Sequence, residues 1–220
     1  MAAQDATKTR LLEAAGEEFA EKGFEAARVR TICLRAEANL AAVNYHFGDK
    51  EQLYIQAVIE AHRCGSTLLP QSIFEEGAPA DHLRLFIRHF LENVLAMRRN
   101  TWHHALMLRE MVRPTSACEA VVREAIRPRF ERLVGILRQV CPGADERRLH
   151  VLAFSVIGQC LHYKIARPIG ERLVGLEAYA ALDLDYLTDH ISTFTLAALG
   201  LAPPFDRDGR SATTAAAGVR

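Results

Sequence analysis

Between its prolines this chain repeats apolar residues three and four positions apart, and no stretch sustains the every-other-residue alternation of a strand. Such a chain has to pack helix against helix, so the expected fold class is all-α. The punctuation sets the elements. Leu11, Leu12, Ala15 and Phe19 share one side of a helix expected over about 7–22, with Gly23 placed to end it. A short helix over about 28–36 brings Val29, Ile32, Cys33 and Ala36 to one face. Asn39 is a favoured N-cap for a two-turn helix ending at Phe47. Gly48-Asp49 then breaks the chain before a long helix over about 50–69, stopped by Pro70. Three helices this short cannot bury much surface separately. They must share one compact core and lean on the fourth helix, which is the shape of a helix-turn-helix head.

Further helices are predicted at about 79–98, 102–113, 116–140, 145–167 and 178–199, with Pro128 expected to kink the third of these. After Phe205 there are no large apolar residues, which suits a disordered tail. The expected organisation is a three-helix head at 1–53, a larger helical domain at 54–202 and a tail at 203–220.

Half of the 220 residues are apolar, enough for a core without staples. Five scattered cysteines, Cys33, Cys64, Cys118, Cys141 and Cys160, make no C-x-x-C pair and suit a reducing compartment. No apolar run reaches the roughly 20 residues that cross a bilayer, and the N-terminus has no apolar signal core, so a cytoplasmic protein with no membrane role is expected. Lys plus Arg equals Asp plus Glu at 27 each, so no overall basic field announces a nucleic acid. If the head binds DNA, its charge must be segregated by face. Glu13, Glu17 and Glu21 line one side of the first helix, while Arg28, Arg30, Arg35 and Lys50 gather around residues 39–54.

On a helix over 39–47, Leu40, Val43 and Phe47 lie roughly on one side, Val43 and Phe47 most clearly inward, and Ala41, Ala42, Asn44, Tyr45 and His46 lie on the other. Small side chains let the backbone come close to another surface. Asn44 offers the paired donor and acceptor that match an adenine edge. Tyr45 and Lys50 suit phosphate oxygens, which fix register without reading sequence. The N-terminus of the helix, capped by Asn39, adds partial positive charge.

Residues 7–54 resemble the N-terminal domain of the TetR family of transcriptional regulators, whose aromatic-x-His-Phe, turn, Lys, Glu pattern is matched by "NYHFGDKEQL". The resemblance implies a supporting helix at 28–36 and a recognition helix at 40–46. By the same match Tyr45, His46 and Lys50 fall at the phosphate-contacting end, and Leu40, Ala41, Ala42 and Asn44 fall at base-facing positions. Glu37 stands where the family commonly has glycine, and a left-handed backbone there costs a non-glycine residue about 1 kcal/mol or more. "LREMVRPTSACEAVVREAIRP" and "GQCLHYKIARP" resemble the C-terminal domain of the CecR/CerR-type subgroup, a ligand-binding and dimerisation domain.

Helix 145–167 contains "VLAFSVIGQCL", apolar on nearly every side, so it needs a partner beyond its own core; Ala153, Ser155 and Gly158 allow close approach. Leu182, Tyr186, Leu187, Ile191, Phe194 and Leu199 stripe the last helix. Two such helices from each of two chains make a four-helix homodimer interface. A dimer also suits a double-stranded DNA operator, because two-fold pairs read half-sites about 34 to 36 Å apart. Phe86, Phe90, Trp102, His103, Met107 and Met111 could line a mostly apolar pocket with a polar anchor from His103, Arg109 or Glu110, and the resemblance implies a small-molecule effector in this domain. The histidines and cysteines lack the i, i+4 spacing of a helical zinc site, and no nucleophile or nucleotide motif is present, so neither a cofactor nor an enzyme is expected. A DNA-binding regulator, most often a repressor, is the reading that follows; its rival is an all-helical small-molecule carrier or enzyme.

Overall fold

The computed structural model describes residues 2–63, 70–74, 76–96 and 101–202, and among them every regular element is helical. The expected tail at 203–220 and Cys64 lie outside the described residues. The chain folds into two compact units, one of Met1–Thr67 with Met97–Arg129, the other of Leu68–Ala96 with Phe130–Arg220. This division differs from a cut after residue 53. The helices of residues 102–121 pack with the head.

In the first unit α1 (Ala2–Ala26) starts earlier than its apolar stripe suggested and bends at Gly23, whose φ of 78° is open to glycine. Helices α2 (Val29–Arg35), α3 (Leu40–Phe47) and α4 (Lys50–Arg63) follow, then α6 (Trp102–Val112) and α7 (Ala117–Val121) after α5 of the other unit. Leu11, Ala15, Phe19, Ile32, Val43, Leu53, Tyr54, Leu106 and Val121 form one buried core. Each Val, Leu, Ile or Phe among them contributes about 1.5 to 3 kcal/mol when fully buried. The Phe19 and Tyr54 rings meet edge to face with centroids 4.9 Å apart.

Pro128 does not simply kink its helix. It cannot donate an N–H and its ring would strike the carbonyl four residues back, and the chain answers with a π turn over Val122–Ile126 in which the Arg127 N–H reaches the Val122 carbonyl. Helix α8 (Arg127–Val140) follows.

The second unit consists of α5 (Pro79–Ala96), most of α8, α9 (Glu146–Ile165), α10 (Arg167–Val174), α11 (Leu176–Ala180) and α12 (Leu184–Ala198). Leu83, Ile87, Leu91, Leu133, Leu137, Leu149, Val156, Cys160, Leu187 and Ile191 make its core. Asp145 and Asp183 cap α9 and α12 by accepting the Arg148 and Tyr186 N–H groups at 2.7 and 2.8 Å. Asp183 is why the last helix begins at Leu184 and not near 178. Pro168 does not end helical structure either. It sits in the first turn of α10, where a missing N–H costs nothing. The Tyr179 hydroxyl donates to the Tyr163 carbonyl at 2.9 Å, and its ring fills the space beside Gly170. No described helix is long and apolar enough to cross a membrane.

Candidate nucleic-acid interface

The turn between α2 and α3 fixes how the head presents α3. The Ala36 N–H returns to the Ile32 carbonyl and the Ala38 N–H to the Cys33 carbonyl at 3.0 Å, closing α2 through Glu37 at φ 49°. Glu37 is the sole described non-glycine residue with positive φ. Arg10 clamps the same turn from α1, its Nε donating to the Ala36 carbonyl at 3.0 Å. Asn39 then caps α3, its side chain accepting the Ala42 N–H at 2.9 Å.

Val43 and Phe47 are buried, and this leaves the opposite face of α3 to solvent. Leu40 is 55% exposed and Tyr45 73%, with Ala41 and Asn44 exposed between them and Ala42 and His46 half-buried. Small Ala41 and the Asn44 amide share this exposed face with Leu40 and Tyr45.

The charges are arranged differently from the sequence expectation. Glu18 is fully buried on α1. Burial works against its charge, yet the Lys22 ammonium at 2.9 Å, the Arg28 N–H at 3.3 Å and Arg35 hold its pKa below the ordinary carboxylate value. Arg35 reaches Glu17, Glu18 and Glu21 at 3.7, 3.5 and 3.2 Å, so it neutralises the acidic side of α1 and does not join a basic patch. Lys50 is half-buried; its Nζ donates to the Glu25 carbonyl at 3.3 Å and lies over the Phe24 ring. It tethers the bent end of α1. Arg28 and Arg30 are exposed at the start of α2, Arg28 with its backbone N–H on Glu18.

The support behind α4 was not legible in advance. Buried Glu110 accepts the Tyr54 hydroxyl at 2.8 Å on one oxygen and the Thr115 N–H at 2.7 Å on the other. Burial, then the Glu110 hydrogen bond and charge, raise the Tyr54 pKa. Ser116 donates to Glu51 at 2.6 Å. Trp102 lies against Gly16, where a Cβ would come within 2.3 Å of the ring, and its indole N–H donates to Glu13 at 2.6 Å. Arg109 donates to the Ala20 carbonyl at 3.3 Å. Of the residues expected to line a pocket, Trp102, His103, Met107, Arg109 and Met111 lie on α6 in the first unit, whereas Phe86 and Phe90 pack in the core of the second. The long-range partners of Tyr54 and Gly16 leave no local pattern to find.

A short helix held across a compact helical core, with its outer face bare, defines the DNA-reading head of a transcription regulator. Residues 11–57 match the model of the bacterial regulatory proteins of the tetR family, and residues 79–199 match the C-terminal domain of the HTH-type transcriptional dual regulator CecR. The chain is 26% identical over 171 residues to the HTH-type transcriptional dual regulator CecR of Shigella flexneri, covering 73% of this chain and 76% of that one. In fold it resembles a putative transcriptional regulator from Pseudomonas aeruginosa PAO1 (TM-score 0.62, 20% identity, 84% of this chain and 89% of that one) and the TetR regulator TylP from Streptomyces fradiae (TM-score 0.56, 20% identity, 88% and 87%). The chain belongs to the TetR family of DNA-binding transcription regulators, with a C-terminal domain of the CecR type.

Proposed function

We propose that the protein acts in the cytoplasm as a homodimeric repressor, its two heads seated on one double-stranded operator and released when a small molecule binds. The observation that carries the dimer is on α9. Leu149, Leu152, Val156 and Cys160 are buried in the unit's own core, yet Val151 is 52% and Phe154 64% exposed, with Ser155 and Gly158 bare beside them. Ala153, expected to face a partner, points into the core and is left out of this surface. On α12 Leu187 and Ile191 face inward while Tyr186 and Phe194 stand out. Two helices that each carry a second apolar face suit a four-helix seam between copies.

Reading the operator falls to Leu40, Ala41, Ala42 and Asn44, and holding the backbone to Tyr45, His46, Arg28 and Arg30, while Asn39 caps α3 and Lys50, tied to the Glu25 carbonyl, supports its far end from within the head. For the repressor reading, an effector need only prefer one of two dimer arrangements; about 1 to 3 kcal/mol of coupling changes DNA affinity 5- to 150-fold. The rival, a carrier or enzyme, gives this exposed α3 face nothing to do.

Gel-shift titration against the DNA upstream of the protein's own gene tests the reading. Specific binding that weakens steeply with salt is expected. Asn44→Ala should relax preference at one base position by about 1 to 3 kcal/mol without weakening random DNA. Binding no tighter than to random DNA would refute the proposal.

A further inference from the structure

Among the described residues, Nε of Arg129 is the only buried guanidinium nitrogen without an acceptor. The π turn ahead of Pro128 delivers this side chain. Its Nη1 is used locally, donating to the Ala125 carbonyl at 3.2 Å, while Nε is sealed and unanswered. Other arginines differ: Arg35, Arg84, Arg88, Arg138 and Arg167 each meet a carboxylate. Burial lowers the pKa of Arg129, and the neighbouring Arg63 charge lowers it further. Arg63 has its own partner, Glu124, at 3.5 Å.

The end of α4 completes the corner. His62 directs Nδ1 to the Val58 carbonyl at 3.0 Å, which leaves Nε2 for another contact. Burial is the main cause of its lowered pKa, opposed by the Val58 bond and by Glu110 and reinforced by Arg129. The corner borders the apolar core of this unit, in which Val58, Ala61, Val121 and Ala125 are buried, and the Arg63–Glu124 pair lies near it. A guanidinium partly withdrawn from water beside such groups gains when an anion meets it. Arg129 as a residue is half-buried, so its outer edge is open to an incoming group.

We propose that Arg129, with His62 beside it, is a binding site for the carboxylate of a small organic acid. One guanidinium offset by no local acid compensates one negative charge, and its planar fork fits the two oxygens of a carboxylate. A phosphate dianion would bring a second charge to apolar walls. The apolar surroundings suit an acid with a hydrocarbon body. Giving this acid a regulatory use rests on the effector reading above; occupancy of the site does not.

Thermal unfolding of the full-length dimer tests it, with sodium benzoate and sodium hexanoate as probes, benzamide and hexanamide as neutral counterparts, and Arg129→Met as the variant. Without added acid, Arg129→Met is expected to melt about 2 to 4 °C above the wild type, because the unanswered charge is gone. Millimolar acid should raise the wild-type midpoint and leave the variant unmoved, and the amides should move neither. A variant that melts below the wild type would make Arg129 a structural residue and overturn the site. So would acids that stabilise both proteins equally, or neither. Gel shifts with the same acids read the effector role separately: binding without release of DNA refutes that role and leaves the site standing.

Discussion

Glu37 holds a conformation that glycine adopts at less cost, and it does so between the two helices that set the reading angle of the head. The Ala36 and Ala38 N–H bonds and the Arg10 clamp keep the turn closed in spite of it. Glu37→Gly should therefore stabilise the protein by about 0.5 to 1 kcal/mol, less than the full left-handed penalty because glycine is also freer when unfolded. Urea unfolding would show this as a higher midpoint with an unchanged slope. At the same scale Lys50 and Arg35 illustrate what charge counting misses. Both were legible as cations near α3, but a carbonyl 25 residues away holds one and three α1 carboxylates hold the other.

At the scale of elements, α3 was readable because everything that defines it is local. Asn39 caps it, Gly48 ends it, and Val43 and Phe47 mark its buried side. Pro128 and Pro168 were harder. A proline ends a helix, opens one, or is absorbed by a π turn, and the choice depends on packing elsewhere in the chain. The tie between α4 and α6 was unreadable for a related reason, since Tyr54 and Glu110 stand 56 residues apart. That tie predicts a measurable cost. Glu110→Gln keeps the shape but turns an amide donor toward either the Tyr54 hydroxyl or the Thr115 N–H. A loss of about 1 to 3 kcal/mol in chemical unfolding is expected, larger than for exposed Glu146→Gln on α9.

For the whole molecule, the helical class and the head were plain from periodicity, but the grouping of residues 102–121 with the head was not, because it depends on contacts distant in sequence. The outward faces of α9 and α12 were half legible: an all-round apolar helix has a second apolar face, but its sequence does not say which residues form it. Gly158 has open space where a Cβ would point. Gly158→Arg should leave the helical content of each subunit intact and turn dimers into monomers in sedimentation velocity. A dimer that survives would move the seam off this face. The chain has a single tryptophan, and it is the one pressed against Gly16 with its indole on Glu13. Light emitted by the unlabelled protein on excitation at the red edge comes from this joint alone, so the molecule carries its own optical gauge of whether α1 and α6 stay together when DNA or an acid is added.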